Sequence, residues 1–127
     1  MRKFITGPAL GAWLAVVANP ALAADAALEI KTAAAHAGFA AASNTLKTVH
    51  MHLHHAINCL EGSKGADFDA KSGDPCKGQG AGAIPDSPPD KRGTLEAIVH
   101  QAKMALAEQD LAKAKEMAGA AQKSLSQ

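Results

Sequence analysis

Four of the chain's six histidines fall within six residues, in Val49-His50-Met51-His52-Leu53-His54-His55-Ala56-Ile57-Asn58-Cys59. Imidazole changes charge near neutral pH and is the commonest protein ligand for transition metals, so this density points first to a metal site. At about 100° per residue of helix, His50 and His54 share one flank of the apolar stripe, and His52 and His55 share the other. Each pair has the three- or four-residue spacing that lets two imidazoles share one ion. Two rings seldom hold a metal tightly, so the remaining ligands must come from elsewhere in the chain.

Two further histidines are available. If the chain turns at Ser43-Asn44, His36 falls level with Met51, on the flank whose wheel angle His54 shares. If a hairpin pairs Leu60 with Gly93, His100 falls level with Leu53. All six rings, His36, His50, His52, His54, His55 and His100, would then occupy one layer of a bundle. Glu96, His100 and Met104 repeat every four residues on one face, and Met51 lies inside the cluster, so Glu96, Met51 and Met104 are weaker candidates. Cys59 would complete a soft site with His52 and His55, but it has a competing role with Cys76.

The elements that must position these residues follow from composition and patterning. The chain opens Met1-Arg2-Lys3, runs apolar from Leu10 to Ala18 and reaches Ala21-Leu22-Ala23, with small residues where a signal peptidase cuts. Residues 1–23 read as a removed leader, since a membrane anchor needs about 20 apolar residues, and 24–127 as a single helical domain. Export places the protein in the periplasm, without membrane insertion. There, Cys59 and Cys76, the only cysteines, are expected to pair.

Without the leader, 11 Lys+Arg face 12 Asp+Glu, a formal −1, which gives no reason to expect nucleic acid or an anionic membrane as partner. Phe39 and Phe68 are the only aromatic residues after residue 23, so the core must be thin, Ala- and Leu-rich and closely packed. Such a core suits helices.

Asp25 can cap a helix whose apolar positions are Leu28, Ala35, Phe39, Ala42, Leu46, Val49, Leu53, Ala56 and Leu60, with Gly62 ending it. Ser43-Asn44-Thr45 interrupts that stripe with three poor helix formers that could cap a second helix. A matching break, Glu108-Gln109-Asp110, divides Thr94–Leu125. The expected fold is therefore all-α, an up-down four-helix bundle in one chain. The alternative is a long two-helix hairpin that dimerises into four helices. Between the halves, residues 61–92 are rich in Gly, Pro, Asp and Ser, and Pro85, Pro88 and Pro89 argue against helix there. Closing this loop with a Cys59–Cys76 disulfide would stabilise the fold by about 3 kcal/mol.

Several chemistries lack their motifs: Cys-x-x-Cys-His for covalent haem, Glu-x-x-His for a di-iron centre, His-Glu-x-x-His for a zinc protease, and a glycine-rich phosphate loop. Asp67-Phe68-Asp69-Ala70-Lys71-Ser72-Gly73-Asp74 matches a calcium loop poorly, with no turn glycine in place and no closing Glu. Nothing in the pattern points to an enzyme. The Ala- and Lys-rich helices, as in Glu96-Ala97-Ile98-Val99-His100-Gln101-Ala102-Lys103 and in Asp110 to Ala121 after a polar break, resemble the small His-rich metal-binding proteins of bacterial periplasms. That resemblance implies a helical bundle that binds divalent transition metals, copper prominently, in buffering or detoxification. The chain differs in having fewer histidines, gathered in one cluster, and in its two cysteines and long loop.

The expectation is an exported protein that sequesters or carries Cu, Zn or Ni through neutral imidazoles, with binding that weakens below about pH 6. Two alternatives are a disulfide-pinned interaction module without metal and a small noncovalent haem bundle for electron transfer.

Overall fold

The computed structural model describes residues 24–127, so the leader expected over residues 1–23 lies outside the described residues. The described chain is helical, without strands: α1 (Ala26–Ala42), α2 (Leu46–Glu61), a single turn α3 (Ala83–Asp86), α4 (Pro89–Ala107) and α5 (Leu111–Leu125).

Capping decides that there are four long helices rather than two. Asp25 Oδ1 accepts from the Leu28 amide at 2.9 Å and starts α1. At Ser43 the backbone turns extended and the hydroxyl donates back to the Phe39 carbonyl at 2.7 Å. Two residues on, Thr45 Oγ1 accepts from the Thr48 amide at 3.1 Å and starts α2. The second break repeats the device, with Asp110 Oδ1 accepting from the Lys113 amide at 2.9 Å. Each polar triplet satisfies amides that a continuous helix would have bonded internally, so the chain reverses there. The long-hairpin alternative is excluded: α1 packs on α2, α4 on α5, and the pairs close a helical bundle through α1 against α5 and α2 against α4.

The core is built as composition requires. Val49, Leu53, Ile57 and Leu60 of α2 are fully buried, against Leu95, Ile98 and Val99 of α4. The α1–α5 seam is made of alanines, Ala33, Ala37 and Ala40 facing Ala114, Ala118 and Ala121. Of the stripe expected in α2, Val49, Leu53, Ala56 and Leu60 are buried and Leu46 is half-buried. In α1 the expected stripe is not buried: Leu28, Ala35, Phe39 and Ala42 are exposed, and Glu29, Ala33, Ala37 and Ala40 are buried. A stripe continued through Ser43–Thr45 carries the phase of α2 into α1, but the non-helical link resets it.

The prolines of the connecting segment also behave differently from expectation. Pro89 is the first residue of α4, and Pro85 sits in the one-turn α3. A proline in the first turn has no amide that an i−4 carbonyl would need, so it starts a helix rather than excluding one. Cys59 and Cys76 form the expected disulfide. The segment leaves α2 at Gly62 (φ +72°) and returns at Gly82 (φ +121°), where a Cβ would meet the Glu61 backbone at 2.7 Å. Only glycine permits that backbone-on-backbone approach with left-handed φ.

Candidate metal centre

His36 and His52 stand eight residues on either side of Asn44, so a hairpin folded there sets them level, and His55 follows one turn after His52 on the same face of α2. The result is a cluster at the α1–α2 seam. His36 Nδ1 lies 3.2 Å from His52 Nδ1 and 3.2 Å from His55 Nδ1. One ring nitrogen from each histidine lies within 4.8 Å of the others, and the three rings are half-buried. Metal–imidazole bonds of about 2.0–2.1 Å set at tetrahedral angles put nitrogens roughly 3.3 Å apart. The two short separations already match that spacing.

The direction of the lone pairs matters as much as the distance. His55 Nε2 is 2.6 Å from the Ser72 carbonyl oxygen. A carbonyl only accepts, so Nε2 carries the ring proton and Nδ1 of neutral His55 is a bare lone pair aimed at His36. Metal-binding histidines are oriented in this way by a carbonyl or carboxylate on the other ring nitrogen.

Electrostatics favour the neutral rings that a metal requires. His36 is pushed down from 6.5 to about 4, first by burial and then by the repulsion a positive His55 or His52 would exert. His52 is also pushed down, by burial and then by His55. The edge of Phe39 meets the His36 ring at 5.5 Å between centroids, and its ring lies 5.4 Å from His52. This aromatic wall, itself 54% exposed, leaves the cluster open on one side.

The other candidates are not brought to this point. His50 Nε2 sits 3.3 Å from the Glu108 carbonyl, at the α4–α5 link. His54 Nδ1 is 3.7 Å from Asp69 Oδ2, outside hydrogen-bond range. His100, Glu96, Met51 and Met104 are exposed, and Glu96 lines a separate cleft with Glu61 and Arg92. Among the described residues, His36, His52 and His55 are the one such grouping of His, Cys, Asp or Glu, so the six histidines do not gather at one point. The expected placing of His36 with His54 is also corrected, because His36 meets the opposite flank, His52 and His55. Cys59, held in the disulfide, offers no thiolate.

The carboxylates of the calcium-like loop already have partners within the protein. Asp67 pairs with Lys103 Nζ at 2.7 Å, Asp69 accepts from the Lys71 amide and the Ser72 hydroxyl, and Asp74 accepts from the Cys76 amide.

Three residues of the site were not read from the pattern. Phe39, three residues after His36, falls on the expected apolar stripe and so reads as core. Ser72 acts through its backbone and leaves no side-chain signal. Asn58, fully buried between Ile57 and Cys59, bonds the segment that carries Ser72 and was legible in principle as a polar residue on a buried face. In comparisons with known proteins, no family model, no curated protein and no solved structure matches the chain.

Proposed function

We propose that this is an exported metal-binding protein that sequesters or carries one divalent transition-metal ion, copper first and zinc or nickel next, on His36, His52 and His55. The observation that carries the reading is the convergence of three ring nitrogens, two of the separations being 3.2 Å. Imidazole without thiolate suits Cu(II), Ni(II) and Zn(II), and among these Cu(II) binds nitrogen ligands most tightly. Three protein ligands leave a coordination position for water or an incoming donor, which suits an ion that is delivered and released. Export is supported by the disulfide, which persists in oxidising compartments, and by the leader pattern of residues 1–23. Among the described residues no helix is long and apolar enough to cross a membrane.

Titration of the protein with Cu(II) and Zn(II) tests the reading. Replacing His36, His52 and His55 together by Ala should abolish the tight phase, whereas replacing His50, His54 and His100 should leave it. Equal affinity before and after the first replacement would refute the assignment. An unchanged melting temperature with metal, together with a large fall on loss of the disulfide, would favour the interaction module without metal.

A further inference from the structure

The segment on which His55 leans is fastened to α2 at the two positions next to each other in sequence, Asn58 and Cys59. Asn58 is fully buried. Its Nδ2 donates to the carbonyls of Asp69 at 2.8 Å and Gly73 at 2.7 Å, and its Oδ1 accepts from the Asp69 amide at 2.8 Å. Cys59 binds the same segment through Cys76. Ser72 lies between the fastened residues, and the Asp69 carboxylate closes the turn from inside by accepting from the Ser72 hydroxyl at 2.6 Å. Gly73 then turns the chain over the ring with φ +88°, and a Cβ there would stand 3.8 Å from His55 Nε2. None of these groups occupies the space between the three Nδ1 atoms. Each acts through where it puts one carbonyl.

We propose that Asn58 and the Cys59–Cys76 disulfide are positioning residues of the metal centre: by fastening the segment from Asp69 to Cys76 to α2 they hold the Ser72 carbonyl on His55 Nε2 and keep the Nδ1 lone pair of His55 turned toward His36 and His52. The inference rests on the metal-binding reading and adds to it the part of the chain that sets affinity. A neutral imidazole has one ring proton, and without an acceptor at Nε2 that proton can move to Nδ1 and block the ligand atom. Among the described residues, His36 and His52 make ring hydrogen bonds only within the cluster. His55 is thus the one ring of the three whose tautomer is set from outside, by a segment without regular secondary structure.

The test compares the wild-type protein with Cys59→Ala/Cys76→Ala and with Asn58→Leu. Alanine replaces chemical reduction so that no thiolate is offered to the metal. Ring-nitrogen NMR of the metal-free proteins reads the tautomer of His55, and competition titration reads Zn(II) affinity. The wild type should hold His55 in the Nε2–H form. Both variants should mix the two tautomers and bind Zn(II) about 10- to 100-fold more weakly at unchanged helical content. Variants that keep the Nε2–H form, or that bind Zn(II) as tightly as the wild type, would overturn the inference. Should the variants fail to fold, an Nδ1–H tautomer in the wild type overturns it and an Nε2–H tautomer supports it. A wild type that binds no Zn(II) or Cu(II) would instead overturn the metal reading, and the tautomer measurement would still decide whether these residues position His55.

Discussion

Replacing Glu29 by Gln should make the protein more stable at pH 8 than at pH 5 relative to the wild type. Glu29 is 1% exposed; its Oε1 accepts from the Gly82 amide at 2.9 Å, and its Oε2 has no hydrogen-bond partner. Burial lifts its carboxyl from 4.5 to about 7; the Gly82 amide opposes the rise, while Asp86 and Asp25 add to it. The folded state therefore holds a proton between about pH 4.5 and 7 that the unfolded state has released. The stability this proton brings is complete below 4.5 and is lost as pH rises through 7. At about 1.4 kcal/mol per pH unit, the loss is at most about 3 kcal/mol. Gln cannot ionise and keeps a carbonyl oxygen for Gly82. Urea unfolding of both proteins at several pH values between 4.5 and 8 measures the difference in stability. That difference should widen by up to about 3 kcal/mol across the range. A difference that stays constant with pH would refute the reasoning, whatever its size.

His36 has the opposite dependence. Its folded value of about 4 lies below the ordinary 6.5, so the unfolded state takes up the proton first and stability falls as pH drops from 6.5 to 4; NMR titration should find the His36 ring neutral at pH 5, and Glu29→Gln should unmask a rise in stability between pH 4 and 6.5 that the wild type largely cancels. Cys59→Ala/Cys76→Ala opens a link between residues 17 apart and should cost about 3 kcal/mol on the chain-entropy model, read as a melting temperature lower by roughly 15 °C. Gly82→Ala should destabilise by at least about 2 kcal/mol, since it adds a Cβ against the Glu61 backbone at φ +121°; a loss under half that in urea unfolding would mean that the segment shifts freely.

Local chemistry carried much of the fold. Asp25, Thr45 and Asp110 cap helices because a short acceptor side chain precedes free amides, and that arrangement is complete within four residues of sequence. Cys59 and Cys76 had no other partners. The α2 stripe was legible because large apolar residues mark it. The α1 stripe was not, because a helix that is mostly alanine has no size contrast, and Leu28 and Phe39 drew the phase to the wrong face. The Pro89 start of α4 was hidden for a related reason: a proline reads as a breaker until its place in the first turn is known.

The chain alone determined that His52 and His55 share a helical face and that a reversal at Ser43–Thr45 brings His36 to their height. Only tertiary packing decided that these three converge while His50 turns to the α4–α5 link, His54 to Asp69 and His100 to the surface. A wheel angle is defined within one continuous helix. The three residues between α1 and α2 erase it, and the burial of Ala33, Ala37 and Ala40 sets it again. The last piece, a carbonyl from Ser72 on His55, depends on a fastening far off in sequence and leaves no mark in the residue it uses, because every residue has a carbonyl and only the fold says where it points.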